Sequence, residues 1–197
     1  MDTALTFGLN GAARNVALWT HRSILEQQPG LAKLISKLRA VEGPVAGSSV
    51  IAGVQSYHVT EFSLESYCSL IRYLYMGTIE LKIDLDDFAI AAAAVLKVRH
   101  TTFGELFQLA DCYQVRDLRG YCRARIIESM DESNAMSILF GFAYRFEDLK
   151  SVVLKFVVDH LDKMYAGEKD PFEEYKDHTE RSALLADMLK LKFKASA

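Results

Sequence analysis

Twenty residues, Phe62 to Leu81, constrain this chain more than any other stretch. Tyr67, Leu70, Ile71, Leu74 and Tyr75 recur at the i, i+3, i+4, i+7, i+8 spacing that lays one apolar stripe along a helix. Ser63 stands where a cap belongs. Its hydroxyl can accept from an orphan N–H of the first turn, and Glu65 is placed favourably toward the helix dipole. Gly77 predicts the stop, because glycine accepts the left-handed conformation that commonly ends a helix. Thr78, Ile79, Glu80 and Leu81 then alternate as a short strand.

Upstream, alternating residues as far as Phe7, a turn at Gly8-Leu9-Asn10-Gly11 and a return over Val16 to Trp19 predict a hairpin. Leu31, Leu34, Ile35 and Leu38 give a helical stripe entered through Pro29-Gly30. Val41 to Ser56 is rich in Gly, Ser and small residues and reads as a loop. A phosphate cradle over Gly43 to Ser49 would need a lysine that is missing there. Tyr57, Val59 and Glu61 alternate with His58, Thr60 and Phe62 as a strand. Asp84, Asp86 and Asp87 ahead of Phe88, Ala91, Ala92 and Val95 predict a short helix with an acidic start. A calcium loop there would lack its turn glycine and its distal glutamate.

From Thr101 the periodicity is dense. Phe103, Leu106, Phe107, Ala110 and Tyr113 form one stripe, and Gln114 to Leu118 restarts another that includes Tyr121, Cys122 and Ile126. The two predict an antiparallel helical hairpin. Asp131 or Ser133 can cap a helix carrying Ala135, Ile138, Leu139, Phe142 and Phe146. Glu147-Asp148 opens another with Leu149, Val152, Val153, Phe156, Val157, Leu161 and Met164. After a break at Ala166 to Pro171, Arg181 to Phe193 reads as a final helix.

These runs resemble the BTB (POZ) family. Ser63 to Gly77 is similar to its Ser-Pro-Glu-x-Phe and Leu-x-Tyr-Leu-Tyr-x-Gly segment, with Leu64 in place of the proline. Trp19 to Leu25 resembles its Ala-His-(Lys/Arg)-x-(Ile/Val)-Leu run, and Asp2 to Gly8 its opening strand. Leu106 to Leu118 matches its Leu-x-x-Ala-Asp-x-Tyr-x-Val-x-x-Leu pattern almost throughout, and Asn134 to Lys150 resembles the BACK-type helical box that follows BTB in ubiquitin-ligase adaptors. The resemblance implies an α+β BTB/POZ fold, a small sheet with a helical cluster, over residues 1–129, with insertions near 41–56 and 83–100. A BACK-like helical extension would follow over 130–197.

The resemblance also implies partners. The chain itself would be one, through a homodimer seam that maps onto Asp2, Trp19, His21, Arg22 and Ile24, with Asp2 and Arg22 as a charged pair that is costly to break. A cullin scaffold would be the second, on a surface mapping onto Leu31, Leu34, Ile35, Leu38, Phe103, Phe107, Tyr113 and Tyr121. Ala40-Val41-Glu42 loosely resembles the family's hydrophobic-x-Glu triplet. The expected function is a homodimeric adaptor linking a cullin-RING ubiquitin ligase to a substrate protein. The alternative is a self-assembly scaffold, for example in transcriptional repression, that meets no cullin. No MATH, kelch or zinc-finger segment names the client. Either the chain is part of a longer protein, or its insertion and C-terminal helices recruit the client themselves.

Composition narrows the classes. A chain of 197 residues can bury roughly 70% of the surface its unfolded form exposes. The 23 Lys and Arg against 26 Asp and Glu give a net charge of -3, which argues against nucleic acid as a main partner. The odd number of cysteines, Cys68, Cys112 and Cys122, suits reduced thiols in a cytoplasmic or nuclear protein. No signal-peptide pattern opens the chain, and its longest apolar run, Phe88 to Leu96, is too short to cross a bilayer. His21, His58, His100, His160 and His178 are scattered, which disfavours a zinc set, and no nucleophile–base constellation is legible. A non-enzymatic protein without cofactor or metal is therefore expected.

Overall fold

The structure, a computed structural model, describes residues 3–8, 15–37, 55–59, 61–79, 81, 101–165 and 170–195. The chain divides into two units, Met1–Cys122 and Arg123–Ala197. Asp2, Leu38, the Ala40-Val41-Glu42 triplet and the acidic-start helix near 84–95 lie outside the described residues.

The expectation of an α+β BTB/POZ architecture is corrected. Helix makes up 73% of the interpretable structure, so the class is mostly helical. Among the described residues strand is confined to three short segments, β1 (Thr3–Gly8), β2 (Asn15–Thr20) and β3 (Gln55–Val59). The physical reason lies in the patterning. Alternation with period two is short wherever it occurs, in these stretches and over Thr78–Leu81, whereas stripes of helical period run through almost every described segment from Leu64 onward. The strands lie in the order β2-β1-β3, with β1 antiparallel to β2 and parallel to β3, and Leu5 sits opposite both Leu18 and Tyr57. Of the strand expected at Thr78–Leu81, the described residues Thr78, Ile79 and Leu81 are not in strand, and Glu80 lies outside the described residues.

In the first unit the helices are α1 (Arg22–Glu26), α2 (Pro29–Lys37), α3 (Leu64–Met76), α4 (Phe103–Cys112) and the start of α5 (Arg116–Glu128). Helix α3 begins as its sequence dictates, with the Ser66 N–H donating to Ser63 Oγ at 3.2 Å, and it ends at Gly77 with φ 69°. A full capping box opens α4: Glu105 N–H donates to Thr102 Oγ1 at 3.1 Å, and Thr102 N–H to Glu105 Oε2 at 3.2 Å. The two helix starts are stitched together. Ser63 and Ser66 hydroxyls lie 2.8 Å apart, Ser66 and Thr101 hydroxyls 2.9 Å, and Thr101 donates to Glu105 at 3.1 Å. Because Ser66 and Thr101 are buried, each hydroxyl removed from water is met by another polar atom.

Helix α4 ends in a Schellman motif. Val115 N–H donates to Ala110 O at 2.8 Å and Gln114 N–H to Asp111 O at 3.1 Å, while Gln114 takes the left-handed position at φ 58°. Glycine usually fills that position; a glutamine there costs about 1 kcal/mol. The apolar contact that accompanies the motif falls to Val115 and Ala110, both buried. Asp111 pairs with Arg119 across the corner, and the Arg119 guanidinium sits 4.7 Å over the Phe107 ring.

The second unit continues α5 and adds α6 (Ala135–Gly141), a 3-10 turn at Ala143–Arg145, α7 (Glu147–Met164), a second such turn at Glu173–Tyr175 and α8 (Arg181–Ala195). The turn before α6 is organised by the Asp131 carboxylate, which accepts from Ser133 N–H at 2.8 Å, Ser133 Oγ at 2.6 Å and Asn134 N–H at 3.0 Å. These bonds hold its pKa below the usual carboxylate range. The core is apolar, with Leu139, Leu149, Val153 and Val157 fully buried, and Phe140 stacks on Tyr175 at 4.5 Å.

Two glycines of the first unit carry opposite expectations. A Cβ on Gly30 would lie 2.2 Å from the Tyr113 carbonyl oxygen, whereas one on Gly120 meets nothing within 4 Å. Gly30→Ala should therefore lose about 3 kcal/mol. Gly120→Ala, inside α5, should gain roughly 0.5–1 kcal/mol. Urea unfolding midpoints read both, and equal shifts would contradict the close approach of α2 to the α4–α5 corner.

Candidate functional site

Three pieces of chain meet around the C-terminal half of α3 in the first unit. Tyr67 points inward. Its hydroxyl is hydrogen-bonded to that of Tyr113, and both rings face Phe62 at centroid distances of 6.4 and 6.3 Å. Tyr67 is 0% and Tyr113 3% exposed, so the bond between their hydroxyls gives each phenol a polar partner out of reach of water. Burial is the main cause that raises both phenol pKa values, and it pushes the Cys68 and Cys122 thiols up to about 12.

Two turns further along, Tyr75 faces outward and works as a clasp. The His21 backbone N–H donates to its oxygen at 2.9 Å, His21 Nδ1 lies 2.6 Å away and Thr20 Oγ1 3.3 Å. The Tyr75 hydroxyl can satisfy all three by donating to Nδ1 and accepting from the backbone and from Thr20. The end of α3 is thereby fastened to the junction of β2 and α1. Beyond the clasp the surface is greasy, with Tyr75 44% and Met76 67% exposed. Tyr121 on α5 is also exposed and rests against Phe103 at 6.1 Å.

Between these features lies a cleft of about 440 Å³ lined by Gln28, Pro29, Tyr73, Gln114, Val115, Arg116 and Asp117. It is framed by the start of α2, the end of α3 and the α4–α5 corner. Two carboxamides, a phenol and an adjacent pair of opposite charges line it, a mixture that suits the polar backbone and side chains of another protein chain better than a purely apolar ligand. Burial, then the charge of Asp117, raises the Tyr73 pKa, which keeps this phenol a neutral donor.

The residues singled out in sequence are distributed unevenly. His21 is half-buried and committed to Tyr75, Arg22 is exposed and donates to Glu26 at 2.6 Å, and Ile24 is half-buried. Trp19 lies in β2 opposite Ala4. Leu31, Ile35, Phe107 and Tyr113 are 1%, 4%, 0% and 3% exposed. They form the interior of the unit, so a partner at this surface would touch their neighbours instead. Leu34 lies on α2. Phe103 is half-buried, and among the members of the partner set whose burial is described only Tyr121 is broadly exposed. Tyr75, Met76 and Gln114 went unmarked as site residues. Tyr75 is legible as the last member of the apolar stripe before the stop at Gly77, whereas Met76 lies off that stripe and Gln114 carries no local signal for a left-handed backbone.

Among the described residues no group of three or more His, Cys, Asp or Glu is placed to hold a metal ion, and the three cysteines are free thiols. Among them too, no helix is long and apolar enough to cross a membrane. No protein-family model and no curated protein matches this chain.

Two measurements test the interior of the site. Tyr67→Phe and Tyr113→Phe should each cost about 1 kcal/mol by breaking the bond between the two hydroxyls, and the double variant should cost less than their sum. A double-mutant cycle in urea measures the coupling; strict additivity would mean the hydroxyls do not pair. Stability should also fall in alkali. An acid whose pKa is raised on folding keeps its proton in the native state while the unfolded chain releases it, so the contribution of Cys68 and Cys122 is whole below pH 9 and is lost progressively from pH 9 toward 12. Unfolding free energy measured from pH 7 upward should be flat and then decline.

Proposed function

We propose that this protein is a protein–protein interaction adaptor that pairs with a second copy of itself and links a cullin-RING ubiquitin ligase to a substrate protein. One observation carries the reading: the exposed apolar end of α3, Tyr75 and Met76, set on a rigid support by the Tyr75 clasp. Large apolar and aromatic side chains held in place on a surface are the usual anchors of protein interfaces. The resemblance of Ser63–Gly77 and Leu106–Leu118 to BTB segments supports the choice of a cullin as partner. Self-association through the β2–α1 junction, around His21, Arg22 and Ile24, is part of the same proposal.

Calorimetric titration of the purified chain with a cullin N-terminal domain tests it, alongside light scattering for the dimer. Binding at micromolar affinity or better is expected. Met76→Glu, a change at an exposed position that leaves the core intact, should weaken it roughly tenfold or more, about 1.4 kcal/mol. A dimer that ignores the cullin would leave a self-assembly scaffold as the reading. A monomer that ignores it would remove both.

A further inference from the structure

Helix α8 is apolar on two sides. Leu184 and Met188 are 2% and 4% exposed and pack into the second unit, where α8 meets α7. At about 100° per residue, Leu185, Leu189 and Phe193 form a separate ridge at i, i+4, i+8 that is turned well away from the buried pair. Leu185 is half-buried, Leu189 is 55% exposed and Phe193 72%. A helix that needs only one neighbour has no use for a second apolar ridge, and a contiguous exposed ridge on a soluble surface marks a place of contact.

Charge narrows what makes that contact. Lys192 flanks the ridge on one side, and Lys190 and Lys194 flank it on the other. Lys190 pairs with Asp187 on its own helix at 3.4 Å. Lys192 reaches Asp162 at 3.8 Å, a carboxylate whose side chain is 98% exposed. Such water-screened pairs contribute little, so the border presents positive charge outward. A second copy of this ridge would set lysines against lysines. An anionic lipid surface would find in this unit 12 Lys and Arg against 14 Asp and Glu over residues 123–197, and so no net positive charge to hold it. What remains is a partner whose negative charge is arranged to match the border.

We infer that the ridge Leu185–Leu189–Phe193 of α8 docks an amphipathic helix of another protein whose apolar stripe is bordered by glutamate or aspartate. The ridge of i, i+4 side chains enters the groove between the partner's own rows, and the three lysines meet the acidic border. The ridge belongs to the second unit and the α3 residues proposed for the cullin to the first, and no residue is shared, so either proposal can fail without the other.

The test uses the full chain and two synthetic helix-forming peptides of about 20 residues. They share one leucine stripe and differ only in whether glutamates or lysines border it. Fluorescence anisotropy should show micromolar binding of the glutamate-bordered peptide and at least tenfold weaker binding of its lysine-bordered twin, with the preference fading as salt is raised. Leu189→Ser/Phe193→Ser should lower affinity tenfold or more with an unchanged circular dichroism spectrum and melting temperature. Lys190→Glu/Lys192→Glu should exchange the preference between the two peptides. The inference is overturned by no binding of the glutamate-bordered peptide, by equal affinity for both peptides, or by a serine variant that binds unchanged. Binding to phosphatidylserine vesicles in place of the peptide, or self-association abolished by the serine pair, also overturns it.

Discussion

The hydroxyl pair of Tyr67 and Tyr113 is the constraint on which the first unit depends. Two large side chains are almost wholly withdrawn from water, burial requires their hydroxyls to be hydrogen-bonded, and they bond to each other. That requirement sets α3 against the α4–α5 corner at one separation and one rotation, since an apolar contact alone tolerates sliding and a hydrogen bond does not. Three further features follow from it. The corner must turn tightly enough to present Tyr113, which is why Gln114 holds a left-handed backbone; α2 must pass close beneath it, which is why Gly30 has no side chain; and Tyr75, on the outer face of the same helix, comes to rest over the β2–α1 junction.

Ion pairs play a smaller part. Arg22–Glu26 and Arg125–Glu128 are one turn apart on exposed helix faces, worth a few tenths of a kcal/mol each. Lys150–Asp187 is better sheltered and joins α7 to α8, and the bond raises the lysine pKa while lowering that of the carboxylate. Most of the cohesion comes from helix faces closing on one another, in agreement with the predominance of helix over strand.

The helices were legible because their signals are local. Ser63, Gly77, the stripe of α3, the restart after Gln114 and the opening of α7 at Glu147 all act within one or two turns, and the structure places each where its spacing puts it. Fold class was not legible. The α+β expectation rests on resemblance to a family rather than on period, and most of the described core comes from helical stripes, with Leu5 and Leu18 added from the strands. Surface roles were harder still. A helical period says that Leu31, Ile35 and Phe107 share a face but not whether that face meets the interior or a partner, and only burial separates the two. The clasp joins residues 54 positions apart, and pairings at that distance leave no trace in local pattern.

Cys112 closes α4 just before the corner and is the one cysteine of three that reaches solvent. Its sulfur lies 3.9 Å from a Glu61 carboxylate oxygen, and partial burial together with that negative charge raises its pKa. A thiol-directed dye would thus attach at a single place on the native protein, and slowly, since little thiolate exists at neutral pH. The chain carries its own attachment point for an optical reporter, one residue from Tyr113 and beside the corner on which the first unit turns.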